Sequence, residues 1–339
     1  MVKRNTVGVV SCLVLGASLC VFGQGGRKGA EQPTTTRSEI PDTPESLAHI
    51  DAGKKLAGND PVLQSAWNFF CTVNDINKPG PEIEATKVFD NLYAIPSSPR
   101  QQTTAWAITT SDGIIMIDSG EKGRTEALIA GLRKVGLDPA KVKYILLGHG
   151  HGDHYAGAGL FQEKYGTRVG TTAADWDLMF PPNGPPNQNL DRPNRDVVLK
   201  EGMPVTLGDT TVHIVEIPGH TPGSVGFIFN VKEGGQTHTA GMFGGTILAQ
   251  GRITTPDLNL YLKSINHYLE VAKRMNVDVE IQNHALFDDT PGRLARLKTR
   301  KAGEPNPFLM PLATYMKMWG GVVSECIQAE ISRRPPGSK

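Results

Sequence analysis

The sequence predicts an α/β domain in which two mixed β-sheets pack face to face and helices cover their outer surfaces. Two observations predict this fold class. Segments with strand periodicity come first and then alternate with helical segments, and this order occurs twice along the chain. The composition is that of a globular protein, since 39% of the 339 residues are hydrophobic and 20% are charged. A chain of this length has room for one large domain with an extension at each end.

The charge is nearly balanced, with 35 Lys and Arg residues against 34 Asp and Glu residues. Because nucleic-acid binding depends on a basic surface, this balance argues against a nucleic-acid partner. The 38 glycines and 24 prolines predict many turns and functional loops. The expected partner is a small-molecule substrate, and the sequence leaves the oligomeric state open.

The first 23 residues have the features of a secretory signal peptide. Two basic residues, Lys3 and Arg4, precede an apolar run from Val7 to Phe22, and the small residue Gly23 follows at the expected cleavage site. The run is shorter than the roughly 20 residues that a membrane-spanning helix needs. We therefore expect a periplasmic or secreted chain with no stable membrane insertion after signal cleavage.

Residues 24–84 are predicted to form an N-terminal extension, in which a polar lead-in precedes helical periodicity from Glu45 to Cys71, interrupted near Pro61. The main domain is expected at residues 85–303, with strands beginning near Val88. Strands are predicted at Asn91–Pro96, Thr104–Thr110, Ile114–Ile117, Val142–Leu147, Val169–Thr171, Val205–Leu207, Val212–Ile217, Val225–Val231, Thr237–Ala240 and Val279–Ile281.

Helical periodicity separates these strands. It predicts helices at Arg124–Val135, Tyr155–Tyr165, Thr172–Phe180, Leu258–Met275 and Pro291–Lys301. The first two are followed by Gly136 and Gly166, as is typical of helix C-termini. Residues 181–195 are rich in Pro and Asn and predict a long loop, which either forms a wall over the functional site together with Trp176 and Phe180 or is a solvated connector. Residues 304–339 are expected to form a helical tail.

Two cysteines, Cys71 and Cys326, remain after signal removal. In an exported chain they could form one disulfide, or they could be buried free thiols, and the sequence leaves both alternatives open. They are too few and too far apart to form a zinc-thiolate site.

A dense group of metal-binding residue types directly follows the apolar strand Val142–Leu147. The segment from Gly148 to His154 reads Gly-His-Gly-His-Gly-Asp-His, with three histidines and one aspartate within six residues. Imidazole nitrogens and carboxylate oxygens are zinc ligands, and the intervening glycines let the backbone turn sharply enough to aim them at one point. The pattern therefore predicts a metal site at the end of this strand.

The motif His-x-His-x-Asp-His resembles the metal-binding signature of the metallo-β-lactamase superfamily. Upstream, the strand ending at Ile117 continues into Asp118-Ser119-Gly120, similar to the family's Asp-x-Gly, whose aspartate supports the metal loop. Downstream, the segment Gly219–Ser224 and His284 at a strand end resemble the positions of the family's remaining histidines. The resemblance extends from about Val88 to Leu297 and implies a four-layer αββα sandwich.

The resemblance also implies two zinc ions, with a metal-bound hydroxide as the nucleophile. The first ion would be held by His149, His151 and His220, and the second by Asp153, His154 and His284. Asp153 would additionally orient the attacking water, which makes it the expected catalytic residue.

Several features concern the substrate. Many hydrolases of the superfamily have an aspartate that bridges both metals, whereas residues 240–246 contain neither Asp nor Cys. This absence and the Asp-His-His second site are most similar to subclass B3 metallo-β-lactamases. Two departures point away from β-lactams: the serines that lactamases usually carry near Met242–Gly245 are missing, and His284 is followed by Ala285 instead of Pro-Gly.

We therefore expect an exported zinc-dependent hydrolase that opens cyclic amides, with β-lactams as the leading substrates. One alternative is a hydrolase of lactones or other esters, and another is a non-catalytic zinc-binding protein. The presence of all six ligand positions favours an enzyme. The histidines outside these motifs are expected to be structural or exposed to solvent: His49, His213, His238 and His267.

Overall fold

The computed structural model describes residues 35–75, 78, 80–81, 83–97, 103–182, 192–248 and 253–335. The predicted signal peptide, the lead-in up to residue 34 and residues 183–191 of the predicted loop lie outside the described residues. Within the described ranges, no helix has both the length and the apolar character needed to cross a membrane.

The first sheet contains seven strands, arranged in sequence order. They are β1 (Thr86–Phe89), β2 (Leu92–Pro96), β3 (Thr104–Thr110), β4 (Gly113–Ile117), β5 (Val142–Leu146), β6 (Arg168–Thr171) and β7 (Val197–Val198). Strands β1 to β4 pair antiparallel, and β4 to β7 pair parallel. The sheet is therefore mixed, as the sequence predicted.

The second sheet contains five strands and is also mixed. They are β8 (Val205–Leu207), β9 (Thr210–Glu216), β10 (Val225–Glu233), β11 (Gln236–Phe243) and β12 (Val279–Glu280). Strands β8 to β11 pair antiparallel in sequence order, and β12 adds to β11 in parallel.

Ten α-helices surround the sheets in the described part of the chain. They are α1 (Pro44–Ala57), α2 (Pro61–Cys71), α3 (Thr125–Lys134), α4 (Gly152–Tyr155), α5 (Ala158–Tyr165), α6 (Ala173–Met179), α7 (Thr255–Arg274), α8 (Thr290–Thr299), α9 (Leu312–Lys317) and α10 (Ser324–Arg333). A π-helical segment, Met318–Val323, joins α9 to α10. Local sequence fixes several helix starts, because Thr43, Asp60 and Thr254 cap α1, α2 and α7 through their side-chain oxygens. A proline occupies the first or second position of each of these helices.

Side chains alternate between two hydrophobic clusters along the central strands. On β4, Ile115 and Ile117 point into the cluster between the sheets, whereas Met116 points to the outer face of the first sheet. On β10, Phe227 lies between the sheets and Ile228 faces the outer surface of the second sheet. Both sheets are thus buried on two sides, which requires a helical layer outside each of them.

Those outer layers are present. Helices α3, α5 and α6 cover the first sheet through Leu128, Phe161 and Trp176, all of which are fully buried. Helix α7 covers the second sheet through Tyr268, and α1, α2 and α10 join the same cluster. The αββα sandwich predicted from the sequence is confirmed.

The two ends of the chain form one structure. Helices α1 and α2 of the N-terminal extension pack on α10 of the C-terminal tail, and a disulfide joins Cys71 to Cys326 across this contact. Both cysteines are buried. Of the two alternatives that the sequence left open, the structure therefore contains the disulfide.

Most predicted elements are present, with three differences. Strand β1 contains Val88, near which strands were expected to begin, but no range was predicted for it. Strand β7 was not predicted, because its two residues are too few for a periodic pattern. The helix predicted from Tyr155 to Tyr165 is divided into α4 and α5 at Gly157. A Cβ atom at Gly157 would overlap the carbonyl oxygen of Ser119, so the chain makes a close tertiary approach there.

Candidate metal centre

The candidate site lies where strand ends from both sheets meet. Strand β4 is followed by Asp118, β5 by the histidine loop and β12 by His284. The backbone N–H of Val225, on β10, donates to the carbonyl of Gly148 at 2.9 Å and so connects the second sheet to the histidine loop of the first. Both sheets therefore position the candidate ligands.

Three imidazole nitrogens converge in what we call the first site. His220 Nε2 lies 3.2 Å from His149 Nε2 and 3.1 Å from His151 Nδ1. Zinc binds imidazole nitrogen at about 2.0–2.1 Å, so two nitrogens on one tetrahedral ion are about 3.3 Å apart. The three nitrogens therefore fit a single zinc ion.

Backbone carbonyls set the tautomers of two of these histidines. His149 Nδ1 donates to the carbonyl of Gly244 at 2.7 Å, and His220 Nδ1 donates to the carbonyl of Ile247 at 2.8 Å. In each ring the proton is then on Nδ1, and the lone pair of Nε2 points to the first site. Burial, reinforced by the neighbouring histidines, lowers the pKa of both rings and favours the neutral form that binds metal.

The other three ligand candidates form the second site. Asp153 Oδ2 lies 3.1 Å from His154 Nε2 and 3.9 Å from His284 Nε2, and the rings of His154 and His284 are 5.1 Å apart. His154 Nε2 is buried, and its 3.1 Å contact with Asp153 Oδ2 lacks hydrogen-bond geometry. A buried imidazole nitrogen without a hydrogen bond beside a carboxylate oxygen suits a metal ion placed between them.

Opposite charges are concentrated at the second site. Burial alone would lower the pKa of His154, but the carboxylates of Asp153 and Asp118 raise it to about 10. Burial alone would raise the pKa of Asp153, but His154, His284 and His151 hold it well below its usual range. The protein alone thus places a cation, the protonated imidazole, between two carboxylates, and a metal ion would replace that proton.

Asp118 supports the second site without being one of its proposed ligands. Its Oδ1 accepts a hydrogen bond from the backbone N–H of Gly148 at 2.8 Å, and its Oδ2 accepts from His154 Nδ1 at 2.7 Å. Its backbone is left-handed, with φ of 60°, which Asp tolerates better than most residues. One carboxylate therefore fixes both the start of the histidine loop and the orientation of His154.

Asn283 completes this support, although it belongs to none of the motifs found in the sequence. Its Nδ2 donates to Asp118 Oδ2 and to the carbonyl of Gly244, both at 3.0 Å. Gly244 is also the acceptor for His149, so Asn283 connects the supports of the two sites. Its position next to His284 is the one signal in the sequence that could have indicated it.

No carboxylate bridges the two sites among the described residues. The corresponding segment after β11 contains Gly244 and Gly245, packed closely against the metal loops. A Cβ atom at Gly244 would overlap the carbonyl oxygen of Val225, and one at Gly245 would lie 2.7 Å from the Cβ of His220. Neither position therefore has room for a side chain, including that of an aspartate, unless its neighbours shift.

The remaining histidines lie outside the site. His49, His238 and His267 pair with Glu325, Asp278 and Glu201 at 2.7, 2.6 and 2.9 Å, and His213 is exposed on β9. These positions agree with the structural or solvent-facing role expected for them.

Aromatic residues around the site differ from the expectation. Trp176, considered as a wall residue, is fully buried in the outer core and donates to the carbonyl of Val197. The aromatic contact comes instead from Phe69 of α2, whose ring centroid lies 6.1 Å from that of His284. The N-terminal extension therefore contacts the second site, which the sequence did not indicate.

Comparison with known families agrees with this geometry. Residues 98–232 match the family model of the metallo-β-lactamase superfamily. The chain contains a metallo-β-lactamase superfamily domain. Members of this superfamily are metal-dependent hydrolases. The two groups whose ligand atoms lie within 4.8 Å of one another are His149, His151 and His220, and His149, Asp153 and His154, so His149 belongs to both.

Curated relatives of the domain are named as hydroxyacylglutathione hydrolases. The GloC protein of Haemophilus influenzae is 29% identical over 173 residues, which are 49% of this chain and 76% of that protein. The protein from Rhodopseudomonas palustris is 35% identical over 103 residues, 30% of this chain and 34% of its own length. The match to the second relative thus spans only about a third of that protein.

Solved structures similar to the domain include metallo-β-lactamases. BJP-1 of Bradyrhizobium japonicum, described as subclass B3, is 25% identical with a TM-score of 0.53, covering 76% of this chain and 91% of that one. Native FEZ-1 of Legionella gormanii has a TM-score of 0.58 at 22% identity, covering 73% of this chain and 95% of its own. The second likeness shows the fold alone. The chain is thus a hydrolase of the metallo-β-lactamase fold.

Proposed function

We propose that this hydrolase binds two zinc ions and opens the cyclic amide of β-lactams. The observation that carries the proposal is the pair of closely packed glycines, Gly244 and Gly245, where many hydrolases of the superfamily place a bridging aspartate. Combined with an Asp-His-His second site, this arrangement resembles that of subclass B3 metallo-β-lactamases. The similarity to BJP-1 supports the same choice.

The residues of the two sites would have different chemical roles. Bound zinc ions would supply a water molecule of lowered pKa and a Lewis acid for the substrate carbonyl. His149, His151 and His220 would hold the first ion, and backbone carbonyls orient the rings of His149 and His220. At the second site, Asp153 would contribute a carboxylate oxygen to the ion and, as a hydrogen-bond acceptor, would orient a water molecule for attack on the carbonyl carbon.

A thioester substrate is the second candidate. The curated relatives are named as hydroxyacylglutathione hydrolases, and one of them is covered over 76% of its length. A thioester carbonyl is attacked by the same nucleophile as an amide carbonyl, and the ligand set would serve both. The missing bridging carboxylate favours the β-lactam over the thioester.

Export to an oxidising compartment is also part of the proposal. The buried disulfide between Cys71 and Cys326 supports it, because disulfides persist mainly in exported proteins. Fractionation of cells that express the full chain tests this step. Mature protein lacking the first 23 residues in the periplasm or medium supports export, whereas full-length protein retained in the cytoplasm contradicts it.

Turnover by the purified chain, beginning at Gln24, tests the substrate. A carbapenem, a cephalosporin, S-lactoylglutathione and a simple lactone are compared, with and without a chelator and with zinc added back. We expect chelator-sensitive hydrolysis of the β-lactams that zinc restores and that His151→Ala abolishes. His267→Ala is the matched control, since His267 pairs with Glu201 outside the site and its loss should leave turnover unchanged.

The outcomes separate the candidates. Turnover of S-lactoylglutathione alone by zinc-loaded protein would replace the β-lactam proposal with the thioester one. Zinc retention without turnover of any of the four substrates would favour a non-catalytic zinc-binding protein.

A further inference from the structure

A third buried carboxylate, Asp175, lies beside the first site without being one of its proposed ligands. It belongs to the first turn of α6, which starts after the N-cap Thr172, and its side chain is fully buried. No motif in the sequence includes it. Helix α6 follows strand β6 of the first sheet, whereas the His220 loop follows strand β9 of the second sheet. Asp175 therefore lies where the loops of the two sheets meet.

The carboxylate of Asp175 bonds both loops that carry the first site. Its Oδ2 accepts from the backbone N–H of Gly150 at 2.7 Å, and Gly150 lies between His149 and His151. The same oxygen accepts from Thr221 Oγ1 at 2.7 Å, and Oδ1 accepts from the backbone N–H of Gly223 at 2.9 Å. Three donors from the loops that position all three first-site histidines thus converge on one side chain.

The packing around this carboxylate leaves the loops little freedom. A Cβ atom at Gly150 would lie 2.9 Å from the carbonyl oxygen of Asp175, and one at Gly223 would overlap Thr172 Oγ1. Thr172 Oγ1 donates to the carbonyl of Gly223 at 2.8 Å. The start of α6 therefore holds the two loops at a fixed separation by both hydrogen bonds and direct contact.

We propose that Asp175 is a positioning residue that sets the distance between the His149–His151 pair and His220, and thereby the metal affinity of the first site. The chemistry requires a carboxylate, because an ionised carboxylate has acceptors on both oxygens and every neighbour described above is a donor. An asparagine would direct its NH₂ group at one of these donors and lose that bond. The inference rests on the ligand set proposed above and not on the choice of substrate.

The alternative is that Asp175 only stabilises the fold. Many buried carboxylates do so, and Glu330 on α10 is one in this chain: it is fully buried and accepts from Ser38 Oγ at 2.8 Å and Arg333 Nη1 at 3.1 Å. The hydrogen-bond partners described for Glu330 all lie in the terminal segments and not in the metal loops. The variant Glu330→Gln therefore reproduces the loss of a buried carboxylate without touching the first site.

The experiment measures metal binding at the first site directly. All variants are made in a His284→Ala background, which removes a ligand of the second site so that the first is titrated alone. Zinc affinity is determined by competition with a chromophoric chelator, and the visible spectrum of the Co²⁺-loaded protein reports the geometry of the ligands. Thermal unfolding of each variant is recorded in parallel.

We expect Asp175→Asn to weaken zinc binding roughly 10- to 100-fold, the range typical of residues that orient metal ligands, and to change the Co²⁺ spectrum. Thr221→Val removes one of the three hydrogen bonds at similar volume, so it should shift affinity in the same direction by a smaller factor. Glu330→Gln should lower thermal stability while leaving affinity and spectrum unchanged.

Several results would overturn the inference. One is an unchanged zinc affinity and Co²⁺ spectrum in folded Asp175→Asn, and another is a loss of zinc affinity in Glu330→Gln equal to that in Asp175→Asn. If Asp175→Asn does not fold, an unchanged zinc affinity in Thr221→Val would overturn the inference. If the protein with Asp175 intact bound no metal, the proposed ligand set itself would be wrong. Zinc binding that follows the expected order, in a protein inactive on β-lactams, would refute only the proposed substrate.

Discussion

His154 Nδ1 and Asp118 Oδ2 form a 2.7 Å hydrogen bond in which both side chains are almost completely buried. The other oxygen of Asp118 accepts from the backbone N–H of Gly148, at the start of the histidine loop. Loop position and ring orientation therefore depend on a single carboxylate, which makes the second site sensitive to a residue that would not touch the metal.

Replacing Asp118 should weaken metal binding at the second site. Asp118→Ala removes both hydrogen bonds, and we expect about a 10- to 100-fold loss of affinity, as is typical of residues that orient metal ligands. Asp118→Asn retains the side-chain volume, and asparagine tolerates the left-handed backbone, so the loss of zinc affinity should be smaller in this variant. Zinc competition titrations measure both, with His151→Ala as the background that isolates the second site. Unchanged affinity in Asp118→Ala would refute this role.

The two sites should be separable by their ligands. His151→Ala should remove the zinc of the first site and His284→Ala that of the second, so each variant should retain about one zinc ion per chain. Turnover should fall by at least about 100-fold in both, since loss of a mere supporting residue already costs 10- to 100-fold. Metal analysis after dialysis against trace zinc measures the first effect. Loss of both ions in either variant would show that the sites are not independent.

Metal removal should make stability depend on pH in the alkaline range. Without metal, the Asp153 and Asp118 carboxylates overcome the effect of burial and raise the pKa of His154 to about 10, whereas an unfolded histidine titrates near 6.5. Between these values the folded chain binds more protons than the unfolded chain. The stabilisation is fully present below about pH 6.5 and is lost as the pH rises toward 10.

Thermal unfolding of chelator-treated protein between pH 6.5 and 10 tests this dependence. The melting temperature should fall steadily over the interval, and His154→Gln, which cannot be protonated there, should show a weaker decline. Zinc-loaded protein is the second control, because zinc replaces the proton on His154. A metal-free melting temperature that does not fall between pH 6.5 and 10 would contradict the prediction.

The ligands in the histidine loop could be predicted from the residues alone, because four candidate ligands within six positions form a local pattern. His220 and His284 required the family resemblance, since each is a single histidine far along the chain. Asn283, Asp175 and Phe69 could not be predicted, because their roles depend on side chains and carbonyls that only the folded chain brings near them.

The strands and helices of the main domain follow from periodicity, which is local, and their predicted ranges agree closely with the structure. The sequence predicts the terminal segments as two separate extensions, because Cys71 and Cys326, 255 positions apart, could equally have been free thiols. Their association depends on the packing of α1 and α2 against α10. Tertiary contacts of this kind also divide the helix predicted from Tyr155 to Tyr165 at Gly157.

The disulfide between Cys71 and Cys326 should stabilise both the fold and the second site. It closes a sequence separation of 255 residues, and constraining the unfolded chain in this way contributes about 2–4 kcal/mol to the free energy of unfolding. Cys71 lies two residues after Phe69, whose ring contacts His284. Loosening the end of α2 should therefore also reduce zinc affinity at the second site, by a smaller factor than loss of Asp118.

The double variant Cys71→Ser/Cys326→Ser tests this link. Denaturant unfolding measures the stability loss, and zinc titration in the His151→Ala background measures the second site. Phe69→Leu, with the disulfide intact, is the matched variant that removes the aromatic contact alone. If the double variant lost stability but kept the second-site affinity that Phe69→Leu lost, α2 would hold Phe69 in place without the disulfide. The covalent link would then serve the fold and not the metal centre.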